Sequence, residues 1–167
     1  MVATAAFTGL RKSELRGLRL EDYRDGALYV ARSVWRCHVH EPKTERSKAA
    51  VPVISLLAAM LDAHKRGLRA GPLFRGVCGR PLNLDNLARR VVIPVLKLSG
   101  IKWHGWHAFR RGLATNLHRL GVDDKTIQEI LRHSSLATTQ EIYIKTVSPA
   151  SAAAMRKLEA ALERRVH

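Results

Sequence analysis

The sequence predicts an α+β fold that is mainly α: a helical core carrying one small antiparallel β-sheet or hairpin. Three observations predict it. Residues rich in Tyr, Val and Trp with partial alternation are confined to positions 27–54, the signature of strands. After them, apolar residues recur every three or four positions, the signature of amphipathic helices. Finally, 167 residues of which 46% are hydrophobic and 26% charged suffice for one ordinary core without disulfides or a structural metal. A single domain over residues 1–167 is expected.

Leu15 and Leu18 stand at helical spacing behind Thr8 and Gly9, so a short helix should begin directly after Arg11 and leave that arginine at its mouth. Asp25-Gly26 signals a turn; Ala27 to Val39 and Ala49 to Ile54 read as strands, with Lys43 and Lys48 on the polar connection. Pro52 has no N–H for a second neighbour, which suits an edge strand. Ser55 is the expected cap of a helix with Leu56, Leu57, Met60 and Leu61 inward. Gly67 to Pro81 reads as a long surface loop and the candidate linker. Asn83 should cap a helix with Leu84, Leu87, Val91 and Val95 inward, kinked at Pro94. His107 to Leu120 has Leu113, Leu117 and Leu120 on one side and stops at Gly121. Asp123 or Asp124 starts another helix with Ile127, Ile130 and Leu131 inward. A last amphipathic helix after Pro149 carries Met155, Leu158 and Leu162, then Arg164 and Arg165 where cations suit the helix dipole.

Charge points to the partner. Lys and Arg number 29 against 14 Asp and Glu, a formal +15 with a sequence pI near 10.9. Such a surplus attracts polyanions and releases their counterions, without giving sequence specificity. No apolar run approaches the roughly 20 residues that span a bilayer, and the N-terminus lacks a signal-peptide layout, so a cytoplasmic location is expected. Cys37 and Cys78 show no ligand or framework spacing and read as ordinary residues.

Separate segments hold groups suited to phosphate chemistry: Arg11 at a helix start, Lys43 on the strand connection, His107 and Arg110 three apart on one helix, His133 at a helix corner, and Tyr143. His104, His107 and His133 also admit a metal-binding reading, but Trp103, Gly105 and Trp106 interrupt the helical pair and no acidic residue lies close in sequence. No cofactor is expected.

The stretches TGLRKSEL, PKTERSKAAVPV, HAFRRGLATNLHRLGV and LRHSSLATTQEIYIK resemble, in that order, the boxes of tyrosine recombinases and phage integrases. The likeness runs from Ala6 to about Thr146 and implies the catalytic-domain fold of that family. By it, Arg11 corresponds to the first family arginine, Lys43 to the hairpin lysine, His107 and Arg110 to the second box, His133 to the next His-or-Trp position, and Tyr143 to the nucleophile. Two details depart from the commonest pattern: Arg132 stands where glycine usually precedes the histidine, and the interval from His133 to Tyr143 is one residue longer than in many members. The resemblance implies a site-specific recombinase that cuts and rejoins double-stranded DNA through a 3′-phosphotyrosine, without metal or ATP. It further implies tetramers on paired DNA sites, with the final helix exchanged between neighbours.

The chemistry suits these residue types. Guanidiniums offer planar forks of donors to the non-bridging oxygens and keep their charge at any working pH. A phenol can attack phosphorus and preserve the bond energy for rejoining. His107 can take the phenol proton, Lys43 (or Lys48) can protonate the leaving oxygen, and His133 can donate to a phosphate oxygen. Family members usually carry an N-terminal clamp domain that is not visible here, so the chain is expected to be an N-terminally truncated catalytic domain. The alternative reading is a recombination-incompetent DNA-binding remnant; a type IB topoisomerase-like activity would share the chemistry.

Overall fold

A computed structural model of the chain describes residues 1–36, 38–41, 50–133 and 135–144, with the backbone alone for 141–144. The order of elements is α1 (Val2–Thr8), α2 (Lys12–Gly17), β1 (Tyr23–Arg24), β2 (Ala27–Tyr29), β3 (Ser33–Trp35), β4 (His38–His40), β5 (Ala50–Pro52), α3 (Ser55–Lys65), α4 (Leu84–Leu87), α5 (Ile93–Leu98), α6 (His107–Arg119), α7 (Asp124–Leu131) and α8 (Leu136–Ile144). The mainly helical α+β class is as the sequence predicts.

The strand region divides in two. β1, β2 and β5 form an antiparallel sheet in the order β1-β2-β5, with Leu28 opposite Tyr23 and Val51, while β3 and β4 form a separate antiparallel pair. Alternation explains the faces: Leu28 and Val51 point into the core while Pro52 lies exposed on the edge strand. The connection bearing Lys43 and Lys48 lies outside the described residues, as does Cys37.

One core joins Leu10, Leu15, Leu18, Leu28, Val51, Leu57, Leu61, Leu73, Phe74, Leu84 and Trp106; a second joins Ala114, Ile127 and Leu131 with Leu113, Leu117 and Val122. Each fully buried Leu contributes about 1.5–3 kcal/mol by leaving water. Trp106 sits edge-on to Trp103, near Phe109, and its Nε1 donates to the Leu84 carbonyl at 3.1 Å, so this indole is packing rather than a free stacking platform.

Four expectations need correction. α3 is not capped by Ser55, which is its first helical residue after the N-cap Ile54. Its inward row is Leu57 and Leu61 with Ala58 partly buried beside them, while Leu56 and Met60 face solvent. The helix after Asn83 is capped as expected, by bonds from the Asp85 and Asn86 N–H groups. It then passes through a π-helical stretch, Ala88–Val92, before α5. The wider turn rotates the face, so Ala88 and Val92 are buried while Val91 and Val95 are exposed. Pro94, in the first turn of α5, has no N–H to give that preceding turn. Gly67 to Pro81 is no simple surface loop, because Leu73 and Phe74 plug the core and the Leu73 N–H donates to the Leu18 carbonyl at 2.8 Å. Lastly, α1 precedes the predicted first helix and packs on α6.

α6 and α7 follow the sequence closely, except that Leu120, expected beside Leu113 and Leu117, is the C-cap of α6 and 79% exposed. Asp123 is the N-cap of α7, accepting from the Thr126 N–H at 2.9 Å. The final helix expected after Pro149 lies outside the described residues. Among the described residues no helix is long and apolar enough to cross a membrane.

Candidate active site

Helix ends build the site. Gly9 terminates α1 in the left-handed conformation (φ 61°), freeing its carbonyl to point at α6. A Cβ there would stand 2.7 Å from Leu131 Cδ2 and 3.2 Å from Leu113 Cδ2, so any other residue would have to displace these leucine side chains. Two residues on, Arg11 is the N-cap of α2, and its backbone N–H donates to Glu14 Oε2 at 2.7 Å. Glu14 thus supplies a first-turn carboxylate where the helix leaves N–H groups unpaired.

Arg110 is the centre. It lies on the inward face of α6, is 1% exposed, and each branch of its guanidinium is held: Nε donates to His133 Nε2 at 3.0 Å, Nη1 to the Gly9 carbonyl at 2.8 Å, and Nη2 to the Leu131 carbonyl. Burial first, then the neighbouring Arg11 charge, pulls its pKa down to about 9. It remains a cation at neutral pH.

Arg132 ends α7 in the left-handed conformation (φ 56°), where glycine would be easiest. A side chain there costs about 1 kcal/mol. Its guanidinium is buried and donates through Nη2 to Glu14 Oε2 at 2.7 Å, while Arg11 Nη1 donates to Glu14 Oε1 at 2.9 Å. The Arg11 Nη2 also reaches the Arg132 carbonyl at 3.5 Å. Burial alone would raise the Glu14 carboxyl, but Arg132 and Arg11 outweigh it and hold the group below the ordinary carboxylate range. Arg11 and Arg132 both bond this carboxylate and Arg110 lies close enough to feel its charge, so among the described residues three guanidiniums share one carboxylate and positive charge is in surplus.

The imidazoles are neutral partners of this cluster. His133 is buried; burial first, then Arg110, Arg11 and His107, bring its pKa down to about 4. Since its Nε2 accepts from Arg110, its proton is on Nδ1, which donates to Thr139 Oγ1 at 2.7 Å. Both ring nitrogens are engaged, so His133 offers neither a metal lone pair nor a free proton in this state. His107, exposed at the start of α6, is also lowered, by burial first and then by Arg110, Arg111 and Arg11.

Of the six residues singled out in the sequence, the fold brings Arg110 and His133 into direct contact and sets Arg11 beside them through Arg132 and Glu14. His107 is one turn before Arg110 on α6. Lys43 lies outside the described residues, and Tyr143 is described by its backbone only, on α8 one turn beyond Thr139. The start of α8 is fixed by Thr139 and by Gln140 Nε2 donating to Asp124 Oδ2 at 3.0 Å. Sequence reasoning missed Glu14, Gly9, Arg132 and Thr139 as parts of the site. Glu14 was within reach, standing three residues after the helix-start Arg11 in the manner of a capping box; Arg132 showed only as a departure from the family pattern, and Gly9 and Thr139 carry no local signal.

Over residues 1–148 the chain matches the phage integrase family. It is similar to a tyrosine recombinase XerC of Pelobacter propionicus, 30% identical over 84% of this chain and 45% of that protein. A XerC-like tyrosine recombinase of Caldanaerobacter subterraneus subsp. tengcongensis is 28% identical over 84% of this chain and 43% of its own length. The chain spans less than half of these relatives. Among solved structures, the Tn1549 transposon integrase bound to transposon right-end DNA superposes with a TM-score of 0.77 at 23% identity, over 95% of this chain and 57% of that one. A lambda integrase dimer bound to a COC′ core site gives 0.60 at 26% identity, over 84% and 40%.

Proposed function

Because this chain belongs to the phage integrase family of tyrosine recombinases, we propose that it cuts and rejoins double-stranded DNA through a covalent 3′-phosphotyrosine on Tyr143. The observation that carries the reading is the gathering of Arg11, Arg110 and Arg132 around the single carboxylate of Glu14. A phosphodiester approaching a pentacoordinate transition state accumulates negative charge on its non-bridging oxygens, and preorganised guanidiniums stabilise that charge most where water is excluded.

In the proposed step the Tyr143 oxygen attacks phosphorus, the new phosphorus–oxygen bond forms, and the bond to the 5′ oxygen breaks. His107, neutral near pH 7, accepts the phenol proton, and Lys43 protonates the leaving oxygen. Arg11 and Arg110 bind the non-bridging oxygens. His133 was expected to donate to phosphate; its geometry supports instead the holding of Arg110 and a link to α8 through Thr139. A second DNA hydroxyl reverses the step at the phosphotyrosine, so neither ATP nor a metal enters the scheme. The charge of +15 supports the choice of DNA as partner. Self-association through the segment after Pro149 belongs to the same proposal.

The test is incubation with a pool of nicked suicide duplexes of randomised sequence, with chelator present, followed by denaturing electrophoresis. A protein–DNA adduct that vanishes in Tyr143→Phe is expected. DNA binding without adduct would overturn the proposal in favour of a remnant; supercoil relaxation without strand exchange would favour a topoisomerase. Lys43→Ala should slow cleavage and recover on DNA whose leaving oxygen is sulfur, which needs no proton. Failure to recover would transfer the role to Lys48.

A further inference from the structure

Arg132 is poorly explained as a stabilising residue. It occupies a left-handed position that favours glycine, its side chain is 1% exposed, and its Nε and Nη1 have no hydrogen-bond partner among the described residues. Buried unpaired donors destabilise a fold, and an apolar replacement of a buried ion pair is often neutral or better. What Arg132 does touch is Glu14, through a bond of 2.7 Å to the same oxygen that accepts the Arg11 backbone N–H.

We propose that Arg132 is a positioning residue: as the internal counter-ion of Glu14, it leaves the Arg11 guanidinium free to be shared with a phosphate. The inference rests on the phosphodiester-binding reading of the same site. Glu14 is buried and faces three cations: Arg11 at the start of its own helix, Arg132 from the end of α7 and Arg110 from α6. Of the two guanidiniums bonded to Glu14, Arg11, with a side chain 40% exposed, is the one open to a ligand from solvent, while Arg132 is 1% exposed. Without Arg132, the buried carboxylate would depend on Arg11 for direct compensation, and an incoming phosphate would have to compete with it for that guanidinium. With Arg132 in place, Glu14 holds Arg11 in position through one bond while its charge is offset from behind. Burial raises the Glu14 carboxyl; the Arg132 charge is the largest single influence against this, and Arg11 adds its own charge and two hydrogen bonds.

The experiment compares wild type, Arg132→Gly, Arg132→Lys and the double variant Arg132→Gly/Glu14→Gln. Two probes are used: inorganic phosphate, titrated by NMR on the arginine side-chain N–H signals, and the suicide-DNA pool. Arg132→Gly should bind phosphate and form adduct about tenfold less well, with the acid limb of its rate profile moved to higher pH because Glu14 takes up a proton more readily. Arg132→Lys should keep most of the function. The double variant should recover to within about threefold of wild type, since no buried carboxylate remains to hold Arg11 back.

Unchanged phosphate binding in Arg132→Gly, an unmoved acid limb, or a double variant no better than the single would each overturn the inference. If Arg132→Gly does not fold, the double variant decides: it lacks the bare carboxylate, and failure to bind phosphate like wild type overturns the inference. The underlying function fails separately, by wild type that shows this phosphate pattern yet forms no adduct.

Discussion

Replacing Gly9 by alanine perturbs the site through a single methyl group. At φ 61° the backbone charges any residue with a Cβ about 1 kcal/mol. The new methyl would stand 2.7 Å from Leu131 Cδ2, well inside ordinary contact at 3.4 Å and beyond, so the fully buried Leu131 side chain must shift. Overpacking of this kind costs about 1–3 kcal/mol. The total, about 2–4 kcal/mol, lies below the stability of a typical domain, so the variant should fold.

Its activity should nevertheless fall sharply. The carbonyls of Gly9 and Leu131 are the two backbone clamps on Arg110, and the methyl pushes them apart. Misplacing a reacting group by about 1 Å can lower a rate by about 100-fold. The control is Gly121→Ala, also at positive φ (80°) but with nothing within 4 Å of the added Cβ; it should lose about 1 kcal/mol and no cleavage. Urea denaturation gives the stabilities, and single-turnover adduct formation on suicide DNA gives the rates. A Gly9→Ala protein that loses stability but cleaves at the wild-type rate would refute the clamp.

Three further outcomes are expected. Arg110→Lys keeps a charge but cannot hold Gly9, Leu131 and His133 at once, so adduct formation should drop at least about 100-fold; an active lysine variant in the same assay would remove Arg110 from the centre. His133 binds a proton less readily in the folded state, at about 4, than its ordinary 6.5 in the unfolded chain. Stability should therefore be complete above about pH 6.5 and decline toward pH 4 by about 3 kcal/mol, with His107 adding in the same direction; His133→Gln should flatten most of that slope in urea midpoints. DNA affinity should fall with salt, with a log–log slope of roughly −0.9 for each phosphate neutralised, and Arg36→Ala or Arg89→Ala on the exposed surface should each reduce that slope while leaving adduct formation at saturating DNA unchanged.

What could be read from the sequence was whatever depends on local pattern. The span of α6, the cap of α7 at Asp123, the mouth of α2 at Arg11 and the edge position of Pro52 all follow from spacing or from one residue's missing or surplus hydrogen-bonding group. α1 escaped because VATAAFT offers no side-chain cap and only two turns. The inward face beyond Asn83 was misread because a π turn adds a residue that no hydrophobic period announces. Within the site, ionisable residues were visible as types, whereas the parts that hold Arg110 are mostly backbone carbonyls, which every residue possesses and no sequence advertises. Arg132 was visible as an exception to a pattern, but only its contact with Glu14 gives the exception a meaning.

Arg11 and Arg110 look interchangeable as letters, yet they are different tools for an experimenter. Arg110 fastens the ends of two helices and an imidazole, so deleting it damages the scaffold together with the chemistry, and an inactive product would be ambiguous. Arg11 is partly open to solvent, its side chain 40% exposed, and among the described residues its guanidinium bonds Glu14 and one distant carbonyl. A silenced protein that still folds and still grips its polymer is therefore best made at position 11, and that is the form suited to trapping the uncut complex.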